Sequence, residues 1–227
     1  MRVGDQARPR DQGHEPDHPG PRRPDGPARL HPGDGRTDLP AAALPRLLTG
    51  RVVARLYLVR HARPRVDPAL PADRWELDPA GLPDLAALAV SERLPRRARW
   101  YSSPEPKALA TARRLTTTPV RVAPDLVEHR REARWFDDRG DFHDAVRRAF
   151  ARPGERSMPE WEPLADLEAR LVPAVREILA RHPVDDVVLV GHGTAWTVLR
   201  AALTGEPADL DAWAALRMPD VWEVPRG

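Results

Sequence analysis

The chain has 227 residues, 41% of them hydrophobic, which is enough for one ordinary domain with a sizeable core and chain to spare. The absence of cysteine excludes disulfides and thiolate metal sites, and no apolar run reaches the about 18 residues that span a bilayer. The 36 basic and 34 acidic residues leave a formal charge of +2 and are interspersed with no basic stripe, which argues against a nucleic-acid partner.

A soluble, cytoplasmic protein with no membrane or nucleic-acid partner is therefore expected. Residues 1–50, as in "DQGHEPDHPGPRRPDGPARLHPGDG", are proline, glycine, arginine and aspartate with little that is apolar. Such a segment buries too little surface to offset its ordering entropy, so a disordered tail is predicted, with His14, His18 and His31 solvated. A folded domain is predicted over 51–227.

The domain opens with "VVARLYLV", a strand rich in valine and leucine. "LDPAGLPDLAALAVSERL" follows as a helix, with Asp78 as cap and Pro79 at its first position. A short strand at "ARWYS" leads to a helix opened by Pro104 or Pro106 and running through "KALATARRL", then to a strand at "VRVA". The stretch from Val127 to about Pro163 is irregular, with a helix at "FHDAVRRAF" and a loop around "RPGERSMPEW"; the tryptophans are expected mostly as core or rim packing, with pocket lining as the alternative for Trp135 and Trp161. "LADLEARLVPAVREILARH" is a longer helix with Pro173 as a potential kink. It precedes the apolar strand of "DDVVLVGHG", a helix at "TAWTVLRAAL" and a last strand near "VWEV". This alternation predicts an α/β layered domain with a largely parallel sheet.

Two apolar strands end in histidine, "LYLVRH" at His61 and "VVLVGHG" at His192. Ligands of open α/β sheets gather outside the carboxyl ends of strands, so these side chains are expected to converge. Thr194 is placed to cap the following helix, whose N-terminal amides favour an anion, and Arg60 adds a fork of donors for phosphate or carboxylate oxygens. Lys107, the only lysine in the chain, falls in the first turn of the helix after "YSSPEP" and can face the same mouth. Cations gathered at a helix terminus describe a phosphate pocket. A metal held by His61, His192 and Glu128 is the competing arrangement, disfavoured by the neighbouring positive charges.

Four motifs in this order resemble the histidine phosphatase superfamily in its phosphoglycerate mutase-like branch, over roughly Arg55 to Leu203. They are "LVRHARP", with Ala62 where the family has glycine; "SSPEPKALATA", with Lys107 where it has arginine; "DLVEHR", offering Glu128; and "VVLVGHGTAW". The resemblance implies a three-layer α/β/α sandwich and a cofactor-independent, metal-independent phosphomonoesterase acting through a phosphohistidine intermediate on a small organic phosphate or a phosphoprotein. In it His61 is the nucleophile, Arg60, Lys107 and His192 hold the phosphoryl oxygens, and Glu128 is the proton donor and acceptor, with Glu132 as its rival. A phosphoglycerate mutase-type phosphotransferase and a catalytically silent phosphate-binding module are the alternatives.

Overall fold

The computed structural model describes residues 54–131, 136 and 138–226. The tail assigned to 1–50, with its three histidines, lies outside the described residues, as do Val52, Val53, Glu132 and Trp135.

Five strands form one sheet: β1 (Arg55–Arg60), β2 (Arg99–Ser102), β3 (Val120–Val122), β4 (Val187–Gly191) and β5 (Asp220–Pro225). The spatial order is β3-β2-β4-β1-β5, with every pair parallel except β1 with β5. The last predicted strand thus joins as an antiparallel edge. The helices are α1 (Leu82–Val90), α2 (Pro106–Leu115), α3 (Arg139–Ala151), α4 (Leu164–Ala180), α5 (Gly193–Thr204) and α6 (Leu210–Ala215).

Period-two alternation sends successive strand residues to opposite faces. Leu56, Leu58, Val187 and Leu189 pack against Leu167, Leu171 and Val175 of α4 and against Ala195 and Leu199 of α5. Tyr57, Val59, Val188 and Val190 face the other way, onto Leu88 of α1 and Ala112 of α2. The result is a three-layer α/β/α sandwich whose central strands are apolar on both sides, which is why β4 reads as an uninterrupted hydrophobic run. Each such side chain, taken wholly out of water, stabilises the fold by about 1.5–3 kcal/mol before entropy is counted.

Several boundaries shift for local reasons. Asp78 caps as expected, accepting a hydrogen bond from the Ala80 amide, but it caps a 3-10 turn over Pro79–Gly81 that leads into α1. The α2 helix begins at Pro106, which removes an amide that would have had no partner there. Helix α4 continues through Pro173 as one element, and α3 starts three residues before the apolar pattern, where Asp138 accepts from the Gly140 amide. Helix α6, capped by Asp209, was too short to carry a periodic signal.

Candidate active site

The site is built where β1 and β4 end side by side. Arg60 is paired with Gly191, so the next residue of each strand leaves the sheet at the same level. The His61 amide donates to the Gly191 carbonyl at 2.9 Å, and the His61 and His192 rings meet edge to face with centroids 5.3 Å apart. Gly191 is required there: a Cβ would lie 2.5 Å from Cζ2 of Trp196. That indole packs under the strand ends and donates from Nε1 to the Val59 carbonyl at 2.8 Å.

His61 Nδ1 lies 2.8 Å from the Ala62 carbonyl. A carbonyl oxygen only accepts, so Nδ1 carries the ring proton and the lone pair sits on Nε2. Burial, followed by the neighbouring His192 ring and the Lys107 ammonium, holds His61 well below the ordinary imidazole value, so the ring is neutral. His192, 1% exposed, is pushed down to about 3 by burial and by Lys107. Burial also lowers Arg60 to about 10, which leaves it charged at neutral pH. Its Nη1 donates to the Leu216 carbonyl at 2.9 Å, while its buried Nε has no partner among the described residues.

The turn between β2 and α2 supplies the opposite wall. Thr111 of α2 accepts from the Ala62 amide at 3.0 Å, so the residue in the glycine position of the motif is tied to the helix that carries Lys107. Lys107 is 4% exposed and donates to the Ala72 carbonyl at 2.6 Å and to the Glu105 carboxylate. Glu105, 5% exposed, also lies 3.1 Å from His192 Nε2 and accepts from the Glu128 amide at 2.9 Å. Ser103 Oγ is 2.9 Å from the same His192 nitrogen. Because the carboxylate only accepts, His192 Nε2 carries the proton, and its Nδ1 has no partner among the described residues.

Glu128 occupies the N-terminus of α5. Its carboxylate accepts from the amides of His129 at 2.9 Å, Thr194 at 3.2 Å and Ala195 at 2.9 Å. The helix rim is therefore anion-binding, as expected, but its ligand is the protein's own glutamate. Thr194 makes no cap, since α5 starts at Gly193 with His192 in the cap position. Burial pushes Glu128 up, and the Arg131 guanidinium with the amide hydrogen bonds outweighs it, leaving the carboxyl below its ordinary value. Arg131 is fixed by stacking 4.5 Å from the Trp161 ring centroid and 5.0 Å from that of Phe142, and by donating to Thr194 Oγ1 at 2.8 Å. Arg170 of α4 staples this loop: it donates to the carbonyls of Asp125, Val127 and Glu128 and to Glu162 Oε1.

All five residues singled out from the sequence, Arg60, His61, Lys107, Glu128 and His192, come to this one corner. Glu105 and Arg131 were missed. The signal for Glu105 was the "PEP" text: a following proline forces an extended backbone, observed at φ −62° and ψ 133°, which aims the carboxylate at the strand ends. Nothing in the sequence distinguishes Arg131 from its charged neighbours. Trp161 does not line a pocket; at 1% exposure it is packed with Ala145, Val146 and Trp213. Among the described residues no group of three His, Cys, Asp or Glu side chains is arranged to hold a metal ion.

A family model for the histidine phosphatase superfamily (branch 1) matches residues 56–220, whereas no curated protein matches the chain. Among solved structures, a mycobacterial glucosyl-3-phosphoglycerate phosphatase in its native form is 24% identical, covering 75% of this chain and 89% of that one with a TM-score of 0.59. The same phosphatase with inorganic phosphate is 26% identical over 75% of this chain and 88% of that one, with a TM-score of 0.57. A phosphoglycerate mutase from Bacillus anthracis shares the fold at 17% identity, over 75% and 86% of the two chains, with a TM-score of 0.59. Strand order, motif order and the matched span agree: the chain belongs to the histidine phosphatase superfamily, branch 1.

Proposed function

We propose that the protein is a metal- and cofactor-independent phosphomonoesterase that transfers the phosphoryl group of a small organic phosphate to His61 and then to water. The observation that carries this reading is the His61 ring: neutral, with Nδ1 anchored to the Ala62 carbonyl and the Nε2 lone pair left as a nucleophile, beside His192 and the Arg60 guanidinium. Attack of Nε2 on phosphorus divides the hydrolysis into two displacements through a phosphohistidine. Arg60 and Lys107 are fixed cationic donors for the phosphoryl oxygens, preorganised by packing before the substrate arrives, and the neutral His192 ring, its one N–H turned to Glu105 and Ser103, lines the same corner. Glu128, held ionised by three amides and Arg131, suits the second half-reaction, taking a proton from the water that attacks the phosphohistidine. The likeness to a phosphatase structure containing inorganic phosphate supports hydrolysis over phosphate retention.

Two measurements test the proposal. Brief reaction with a radiolabelled phosphate ester and an acid-sensitive stability assay should place label on His61, and steady turnover without label would exclude the covalent route. Comparing p-nitrophenol release by the wild type and His61→Ala separates enzyme from binding module: loss on substitution is expected of the enzyme, and equal, negligible release from both would favour the silent module.

A further inference from the structure

Lys107 Nζ is one of the proposed phosphate donors, and a single carboxylate, that of Glu105, already engages it through Oε2 while holding His192 Nε2 through Oε1. Glu105 cannot swing away to clear the space. It is 5% exposed, its backbone is fixed between Pro104 and Pro106, and its Oε1 is held by the Glu128 amide. A carboxylate has about four acceptor positions. The Glu128 amide and His192 use those on Oε1, and Lys107 uses one on Oε2, which leaves one acceptor on Oε2 beside the Lys107 ammonium. A fully ionised phosphoryl oxygen placed there has no proton to offer and meets like charge. A phosphoryl hydroxyl donates into it.

We propose that Glu105 makes the pocket selective for the singly ionised form of a phosphate monoester, by accepting a hydrogen bond from the phosphoryl hydroxyl. This rests on the phosphomonoesterase reading and adds a specificity residue to it. The charged and titratable groups that face Glu105 are Lys107 on α2, His192 between β4 and α5, and Glu128 and Arg131 on the loop before α3. The lowered values of His61 and His192 keep both rings neutral in the range where the monoanion prevails, so nucleophile and substrate form coincide.

The chemistry balances without a protonated side chain. The phosphorus–oxygen bond to the leaving group breaks as the bond to His61 Nε2 forms, and the phosphoryl hydroxyl proton passes to the leaving oxygen. Products are an alcohol and a phosphohistidine whose charges sum to that of the monoanion consumed.

The test uses phosphoserine, whose second ionisation lies at about pH 6. Wild-type kcat/KM should fall at least about tenfold between about pH 6 and about pH 8, following the monoanion. Glu105→Gln, which offers an amide N–H to the same position, should flatten that fall to about threefold or less. A wild-type profile that is flat or rising over this interval overturns the proposal without any variant, as does an unchanged slope in Glu105→Gln. Calorimetry with inorganic phosphate separates the two readings: tighter binding at the lower pH that is lost in Glu105→Gln, with no turnover in either protein, would keep Glu105 and sink the phosphomonoesterase.

Discussion

Replacing Glu128 by glutamine isolates what the carboxylate does for the fold. Oε1 accepts from the His129 and Ala195 amides and Oε2 from the Thr194 amide. The glutamine carbonyl can keep the first two bonds, but its NH2 then faces the Thr194 N–H, donor against donor. Losing one charge-assisted bond costs about 1.5–3 kcal/mol, and losing the charge at the α5 N-terminus costs about 1 kcal/mol more. A total near 3 kcal/mol corresponds to a fall in Tm of about 6–12 °C for a domain of this size. The pH dependence has a definite sign. The folded-state value of Glu128 lies below the ordinary carboxyl value of 4.5, so its stabilisation is present above that pH and is lost as pH falls through the folded value. Urea denaturation of wild type and Glu128→Gln should therefore show a large difference at neutral pH that shrinks in acid. A difference under about 0.5 kcal/mol at neutral pH, or one that persists unchanged in acid, would refute the capping argument.

Gly191→Ala drives a methyl group into the Trp196 indole, 2.5 Å away, and should destabilise by about 1–3 kcal/mol while lowering kcat, because His192 follows directly; an unshifted melting curve counts against the close packing. The buried imidazoles should destabilise the protein in acid: their neutral folded forms contribute stability above about pH 6.5 that is lost as pH falls toward about 4 for His129 and about 3 for His192. Nuclear magnetic resonance titration of the His192 ring should show no inflection near 6.5, and an inflection there would remove the basis for a neutral pair.

The fold was legible where side-chain chemistry and local pattern coincide. The apolar runs of β1 and β4 announced strands buried on both faces, and the arginine and histidine following the first run marked the rim. Contacts between segments distant in sequence were not legible. That Glu128 caps α5 depends on Arg170 and Glu162 holding its loop against α4, a relation without periodicity. The Glu105 carboxylate could have been suspected from the flanking prolines, but its bond to the Glu128 amide required the tertiary structure. Trp161 shows where composition alone leaves two readings open: core packing and pocket lining are both compatible with an aromatic in an irregular stretch, and its ring fills a core of its own.

The pairing of β1 with β4 and β5 has a consequence for how the molecule is made. Strand β1 emerges from the ribosome before its hydrogen-bonding neighbours, Val187–Gly191 and Asp220–Pro225, which are translated late. Until then its backbone donors and acceptors stay open on either edge, a template for wrong pairing that high contact order prolongs. Assembly of the corner where His61 and His192 meet is thus the closing event of biogenesis, and nascent chains arrested before Val187 lack it altogether.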